Sequence, residues 1–215
     1  KNSVLMEVKN INLRFGGVIA IQDVSFNIFE GEIRAIIGPN GAGKSSMLNV
    51  INGFYHPQEG EVWFNGEKRP SMEPYQIAKT GIARTFQIVR PFAGLTVREN
   101  VEIAILFGSM SRDSQEILSE KAMAVLAEVG LEAHAHSLAA TLTLSARKRL
   151  EVARAIATDP ELLLLDEVMA GLNPREGEDM VELIKQIKSR RPLSIVVVEH
   201  VVKALTALSD RIVVL

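Results

Sequence analysis

Apolar and polar residues alternate along the first third of the chain, a pattern that is typical of half-buried antiparallel strands. Such strands are predicted around residues 6–11, 24–28 and 60–66, and turns that contain glycine separate them. Because successive side chains of a strand point to opposite faces, one face of this sheet should pack on a core and the other should face solvent. The chain is therefore predicted to begin with an antiparallel β unit.

Continuous apolar runs replace the alternation at 33–37, 162–165 and 195–198, and they predict strands that are buried on both faces. A shorter strand is predicted at 82–86 and a last one at 211–215. Buried strands that alternate with helices are typical of a parallel sheet. These runs therefore predict an α/β core.

Helical spacing dominates a segment between the two groups of strands, from approximately 96 to 145. Gly130 can end a helix there, and six apolar residues are predicted to share one face of that helix. They are Ile117, Leu118, Ala122, Val125, Leu126 and Val129. We expect a single domain over 1–215, in which this helical subdomain interrupts a core made of approximately 1–95 and 146–215.

The sequence GPNGAGKS, Gly38 to Ser45, directly follows the apolar run at 33–37 and matches a loop that wraps nucleotide phosphates. Its glycines let backbone N–H groups approach phosphate oxygens. Lys44 would add charge for the β- and γ-phosphates, and Ser45 a hydroxyl ligand for Mg²⁺. A helix predicted at 46–52 adds the positive end of its dipole. The expected nucleotide-binding residues are Gly38, Pro39, Asn40, Gly41, Ala42, Gly43, Lys44, Ser45 and Ser46.

The loop and its flanking elements indicate a fold class more specific than α/β. We expect a P-loop NTPase core with a mixed, mainly parallel sheet, an antiparallel β subdomain and a helical subdomain.

Two acids, Asp166 and Glu167, end the apolar run at 162–165. In an open parallel sheet, ligands bind beyond the carboxyl ends of the strands. Asp166 is therefore a candidate ligand for Mg²⁺, directly or through water, and Glu167 a candidate base for the water that attacks the γ-phosphate. The alternative interpretation is an acid pair that simply faces solvent at the end of a strand.

Three further residues occupy positions from which they could act on a nucleotide. His200 follows the strand at 194–198 and could contact the γ-phosphate or position the attacking water and Glu167. Gln87 follows the strand at 82–86, where its amide could bridge Mg²⁺ and that water. Phe15 could stack on a purine, although it could equally fill the core.

Composition adds several exclusions. The 26 acidic and 24 basic residues give a net charge of −2, so no global field attracts nucleic acid or an anionic membrane. Cysteine is absent, which excludes disulfides. No apolar stretch approaches the ~20 residues that a membrane-spanning helix needs, and the first residues do not resemble a secretion signal. The basic runs at 147–149 and 188–191 are interpreted as solvated helix faces.

In their order, Phe15, the GPNGAGKS loop, Gln87, LLLLDE and His200 resemble the ATPase subunits of ABC transporters, over essentially the whole chain. The segments LRFGGVIAIQDVSF, GIARTFQIVRPFAGLTVRENV and AGLNP are similar to the branch that imports branched-chain amino acids. The resemblance implies an ATPase that uses ATP and Mg²⁺. It also implies that Phe15 stacks on adenine, that the loop of Gln87 senses a membrane subunit, that Glu167 is the catalytic base and that His200 is the switch histidine.

One segment departs from this family. The helix LEVARAIA sets a register in which residues 142–146, LTLSA, align with the family's signature LSGGQ, which caps the γ-phosphate of ATP held by the opposite subunit. A register shifted by two residues would begin the signature at Leu144, but it displaces the helix. In the preferred register Thr143 keeps a hydroxyl, Ser145 replaces a glycine, and side chains at both glycine positions restrict the approach of backbone N–H groups to phosphate.

The resemblance also implies partners. A second ATPase subunit, identical or different, would close with this chain on two ATP molecules, and membrane permease subunits would contact the loop of Gln87 with Phe92 and Leu95. Neither nucleic acid nor direct contact with the transported substrate is expected. The implied location is the cytoplasmic face of the inner membrane, as a peripheral subunit.

Two other functions remain open from the sequence. One is a soluble, non-transport ABC ATPase, although such proteins usually carry long coiled-coil insertions or two linked ATPase halves. The other is a module that senses ATP with weak turnover, which the altered signature suggests. A P-loop kinase or GTPase would leave Gln87, Glu167 and His200 unexplained.

Overall fold

The computed structural model of the protein describes residues 3–69, 80–85, 91–109, 114–200 and 202–215. In these residues the strands are β1 Val4–Phe15, β2 Val18–Phe29, β3 Ile33–Ile37, β4 Glu59–Phe64, β5 Glu67–Lys68, β6 Ile82–Arg84, β7 Leu162–Asp166, β8 Ser194–Val198 and β9 Arg211–Val214. The helices are α1 Lys44–Asn52, α2 Val97–Ser109, α3 Gln115–Glu128, α4 Leu144–Ile156, α5 Pro174–Arg190 and α6 Val202–Leu208.

The strands form two sheets. Four antiparallel strands lie in the order β2-β1-β4-β5, and five parallel strands lie in the order β6-β7-β8-β3-β9. The predicted fold class is confirmed. The antiparallel strands form a sheet of their own, and the described core sheet is parallel throughout. Its strands can be parallel because the connections between them are long crossovers that contain helices.

The core sheet lies between two layers, because neighbouring residues of a strand face opposite sides. Leu163 and Leu165 of β7 pack in a core that includes the inner faces of α2, α3, α4 and α5. Leu162 and Leu164 pack on the other side, with α1 and the antiparallel sheet. All five residues of β7 and of β8 are buried, as their continuous apolar runs predict.

Local sequence accounts for where several helices begin and end. The Asn173 side chain accepts from the N–H of Glu176 at 3.0 Å, and the Glu176 carboxylate accepts from the N–H of Asn173 at 3.0 Å, which caps the first turn of α5. Ser114 caps α3. Gly130 lies beyond its end with φ +69°, a conformation that glycine adopts without steric cost.

Three expectations about helices need correction. Ile117 is 45% exposed, whereas the other five residues of the predicted apolar face are buried. Helix α1 begins at Lys44 rather than at residue 46. The basic run at 147–149 predicts a solvated face for Lys148, but Lys148 is only 4% exposed. Its position four residues before the buried Val152 places it on the apolar side of α4. In the described part of the chain, the helices are too short or too polar to cross a membrane.

Candidate nucleotide-binding site

The phosphate loop connects the carboxyl end of β3 to the first residue of α1. Its last glycine, Gly43, has φ +89°. A Cβ atom at this position would lie 2.2 Å from the carbonyl oxygen of Ala20 in β2. Real Cβ atoms do not approach an oxygen so closely, so the fold requires glycine here for its conformation and for the packing of the loop against β2.

The ammonium group of Lys44 lies against the same loop. Its Nζ donates to the carbonyls of Gly38 at 2.8 Å and of Pro39 at 2.9 Å. Because an ammonium has three protons, this arrangement leaves one for another acceptor. The loop therefore positions a buried positive charge at the start of α1, where the helix dipole has the same sign.

A cleft of about 530 Å³ opens beside the loop and brings together most of the predicted phosphate-binding residues. It also reaches Glu167 and His200, which come from the ends of β7 and β8. The lining residues are Val18, Ile19, Ala20, Asn40, Gly41, Gly43, Lys44, Ser45, Ser46, Glu167 and His200. The apolar edge that β2 contributes to the cleft was not expected from the sequence. The LRFGG segment directly before β2 contains Phe15, which was proposed from the sequence as a nucleotide contact.

Glu167 and His200 meet at the wall of this cleft. The Nε2 atom of His200 lies 2.6 Å from Oε1 of Glu167, so the two groups share a hydrogen bond. The Glu167 side chain is 11% exposed and that of His200 is 43% exposed. The contact follows from topology, because β7 and β8 are neighbouring parallel strands whose carboxyl ends lie at the same edge. A carboxylate and an imidazole thus face the phosphate loop together.

Asp166 is held differently from its neighbour. Its Oδ2 atom pairs with Nη2 of Arg84 at 2.7 Å, and Arg84 also donates to the side chain of Asn49 in α1. The backbone N–H of Asp166 donates to the Thr85 hydroxyl at 3.1 Å. Oδ1 of Asp166 is buried and has no hydrogen-bond partner in the described residues. Arg84 was not predicted as a site residue. The signal that could have identified Arg84 is its position as a charged residue in a short, mostly apolar predicted strand.

Some predicted site residues lie outside the cleft. Phe15 is 46% exposed and packs edge-on against Tyr55, with ring centroids 5.1 Å apart. Thr143 and Ser145 lie at the start of α4 and do not line the cleft. Gln87 lies outside the described residues.

The first turn of α4 contains most of the altered signature segment. The Thr143 hydroxyl accepts from the N–H of Ala146 at 3.3 Å, so Thr143 is the N-cap residue. Leu144 is the first helical residue and its side chain is 43% exposed. Leu144 and Ser145, which the register preferred from the sequence aligns with the two signature glycines, thus place side chains at the helix terminus.

Comparison with known proteins identifies the family. Residues 21–170 match the ABC transporter family. The chain belongs to the ABC transporter family. It is 36% identical to the high-affinity branched-chain amino acid transport ATP-binding protein LivG of Escherichia coli (strain K12), over 97% of this chain and 86% of LivG. It is 37% identical to the corresponding protein BraF of Pseudomonas aeruginosa, over 98% of this chain and 88% of BraF.

A solved structure extends the match to three dimensions. The dimeric post-hydrolysis state of an ATP-binding cassette, bound to ADP and Pi, superimposes with a TM-score of 0.87 at 30% identity, over 98% of this chain and 94% of that one. As a member of this family the chain is an ATP-binding ATPase, which confirms the prediction of its enzymatic class.

Proposed function

We propose that this chain is the ATP-hydrolysing subunit of an importer for branched-chain amino acids. Both relatives described above are named as transport ATP-binding proteins for these substrates, and each matches nearly the whole chain. These names favour an importer over a non-transport ABC ATPase. The hydrolytic part of the proposal rests on the contact of 2.6 Å between Glu167 and His200, which faces the phosphate loop in one cleft.

In this proposal the loop binds the triphosphate of ATP. The N–H groups of the loop and of the first turn of α1 hold the phosphate oxygens, with the positive end of the helix dipole behind them. Lys44 places its third proton toward the β- and γ-phosphates while the carbonyls of Gly38 and Pro39 keep it in position. Phe15 and the apolar edge of β2 contribute the surface that contacts the adenine ring of ATP.

Ser45 and Asp166 are the described residues that fit a magnesium ion. Ser45 lines the cleft with a hydroxyl, and Asp166 offers a buried oxygen, Oδ1, that lacks a hydrogen-bond partner in the described residues. Mg²⁺ prefers oxygen ligands and usually takes one or two carboxylates, substrate phosphates and waters, so this small donor set is suitable. When bound, Mg²⁺ neutralises charge that develops on the phosphates. Gln87 is proposed as a further ligand.

Glu167 is proposed as the general base. A water that approaches the γ-phosphate within the cleft would donate its proton to the carboxylate of Glu167. His200 shares a hydrogen bond with Oε1, which restricts the rotation of that carboxylate, and its imidazole would contact the γ-phosphate of bound ATP. The two residues would therefore position the attacking water and stabilise the charge that develops during transfer.

The proposed partners are a second ATPase subunit and membrane permease subunits, at the cytoplasmic face of the inner membrane. The related cassette was solved as a dimer. The ring of Phe92 packs 5.1 Å from the guanidinium of Arg154, but Phe92 is 46% exposed and so remains available to a permease subunit. Leu95 is only partly exposed, which makes it a smaller contributor than the sequence indicated. We further propose that residues 96–145 form a helical subdomain of the ATPase domain.

Variants of the base and of the loop lysine test the catalytic assignment. Glu167→Gln keeps size and hydrogen bonding but removes the base, so hydrolysis should fall by ~10²-fold or more while ATP affinity is retained. Lys44→Ala should instead weaken ATP binding by tenfold or more, roughly 1.4 kcal/mol. Calorimetry and steady-state ATPase rates separate the two effects. Hydrolysis by Glu167→Gln at the wild-type rate would show that the base lies elsewhere.

Transport is tested separately. Vesicles that contain this chain with its second ATPase subunit and permeases should show ATP-dependent uptake of leucine, isoleucine or valine. Uptake confined to another class of solute would contradict the proposed substrate while leaving the ATPase assignment intact.

A further inference from the structure

The backbone at Glu167 adopts an unusual conformation. Its φ is +51°, in the left-handed region that residues other than glycine, asparagine and aspartate seldom adopt. Glu167 follows immediately after the last residue of β7, so this conformation turns the chain sharply out of the sheet and points the carboxylate toward His200. Such a backbone persists only when neighbouring groups hold it.

Hydrogen bonds hold both polar backbone groups of Glu167. Its N–H donates to the carbonyl of Val198 at 2.9 Å, and its carbonyl accepts from the N–H of Ala170 at 3.1 Å. The same carbonyl accepts from Nζ of Lys148 at 3.0 Å. The first two bonds come from the adjacent strand and from the turn itself, whereas Lys148 reaches the turn from helix α4.

Lys148 is a costly residue to bury, which argues for a specific task. It is 4% exposed, and burial lowers the pKa of its ammonium group. The carboxylates of Glu199, Glu167, Glu151 and Asp166 surround it and favour its charged form. An apolar side chain of similar length on this buried side of α4 would avoid the desolvation cost. It would not donate to the Glu167 carbonyl.

A second buried residue holds the other end of the turn. Glu199 is 3% exposed, and its Oε1 atom accepts from the N–H of Met169 at 2.8 Å. Burial, together with the charge of Glu167, raises the pKa of Glu199 to about 7. Lys148 and Glu199 thus hold the turn at 167–169 from two sides, each through a backbone group.

We propose that Lys148 is a positioning residue that keeps Glu167 in its left-handed conformation and thereby aims the base at the nucleotide. Lys148 lies three residues after Ser145 on the same helix, so it also connects the signature segment of this chain to the chain's own base. The inference rests on the proposed role of Glu167 and deepens it. Lys148 acts on hydrolysis through Glu167 and does not contact ATP.

Four variants of the full chain test this role in its transporter. Lys148→Met removes the donor, and we expect kcat to fall at least tenfold while KM and ATP affinity stay within about twofold. Lys148→Arg keeps a donor and a charge and should restore most of kcat. The double variant Lys148→Met with Glu199→Gln removes both charges but leaves an acceptor for Met169, so it should fold as stably as wild type and remain slow.

The fourth variant combines Lys148→Met with Glu167→Gln and distinguishes positioning from structural damage. If Lys148 acts through Glu167, this variant should be no slower than Glu167→Gln alone. A further tenfold loss, or full kcat in Lys148→Met or in the charge-free double variant, would overturn the proposal. Failure of all uncharged Lys148 variants to fold would also overturn it, in favour of a purely structural role. Wild-type hydrolysis by Glu167→Gln alone would instead refute the proposed base.

Discussion

At the scale of single residues, the phosphate loop depends on backbone geometry as much as on its charged side chain. Gly43 and Gly41 both have positive φ, at +89° and +84°. A Cβ at Gly43 would meet the carbonyl of Ala20 at 2.2 Å, whereas one at Gly41 would have nothing within 4 Å. A side chain at Gly41 would therefore cause conformational strain only, whereas a side chain at Gly43 would cause both strain and steric overlap.

Alanine at each position should show this difference. Gly41→Ala should destabilise the nucleotide-free protein by about 1–2 kcal/mol through its left-handed conformation alone. Gly43→Ala should cost roughly 2–5 kcal/mol because the loop or β2 must also move. Urea unfolding of the two variants measures both values. Equal destabilisation would mean that β2 yields without cost.

A buried carboxyl group makes stability depend on pH. The pKa of Glu199 is raised to about 7 in the folded protein, chiefly by burial, whereas in the unfolded chain it returns to its ordinary value of 4.5. Between these two pH values the folded state binds more protons than the unfolded state. The contribution of Glu199 to stability is therefore fully present below pH 4.5 and is lost as the pH rises through 7. The loss ends above pH 7.

Glu199→Gln should remove this dependence. Between pH 5 and 7 the wild type should lose stability relative to the variant by up to about 1.4 kcal/mol per pH unit. The two should then run in parallel above pH 8. Denaturant midpoints at several pH values check this, and a constant difference across the range would show that Glu199 is ionised throughout.

At the scale of elements, helix α4 connects the altered signature to the core. The Thr143 hydroxyl caps the helix, while the Ser145 hydroxyl makes no hydrogen bond within the described residues. Thr143 is therefore the residue whose side chain stabilises the first turn of α4.

Two alanine variants should show this difference between Thr143 and Ser145. Thr143→Ala should destabilise the protein by about 1 kcal/mol through loss of the cap. Ser145→Ala should stay within about 0.5 kcal/mol of wild type, because the half-buried Ser145 hydroxyl does not cap the helix. Thermal unfolding in the absence of nucleotide measures both. A larger effect at Ser145 would contradict the assignment of Thr143 as the cap.

At the scale of the whole molecule, the altered signature bears on which subunits assemble. The resemblance to ABC transporter ATPases implies that each ATP lies between the phosphate loop of one subunit and the signature of the other. Leu144 and Ser145 place side chains at the helix terminus that would cap the partner's ATP. A homodimer would then contain two weak caps, whereas a heterodimer could combine this chain's loop, Glu167 and His200 with an intact signature.

We therefore expect weak ATP-dependent self-association and low ATPase activity from the chain alone. Activity should rise when its second ATPase subunit and the permeases are added. ATPase rates with and without these partners, each also measured for Thr143→Ala and Ser145→Gly, provide the comparison. Full and cooperative hydrolysis by the chain alone would show that Thr143 and Ser145 suffice as a cap.

The sequence by itself determined the elements whose information is local. Continuous apolar runs predicted β3, β7 and β8 because strands buried on both faces tolerate few polar residues. The spacing of glycines, lysine and serine in GPNGAGKS predicted the phosphate loop because close backbone approach depends on residue type at fixed positions. The order of these motifs along the chain was also sufficient to indicate the ABC transporter family.

Tertiary structure alone decided the contacts between distant segments. Lys148 belongs to a basic run that local pattern interprets as solvated, yet the packing of α4 against β7 buries it on the carbonyl of Glu167. Arg84 and Asp166 are far apart in sequence and meet only because β6 lies beside β7. A charged residue becomes solvated or buried according to what packs over it, and that depends on the order of strands in the sheet, which residue spacing within one segment does not encode.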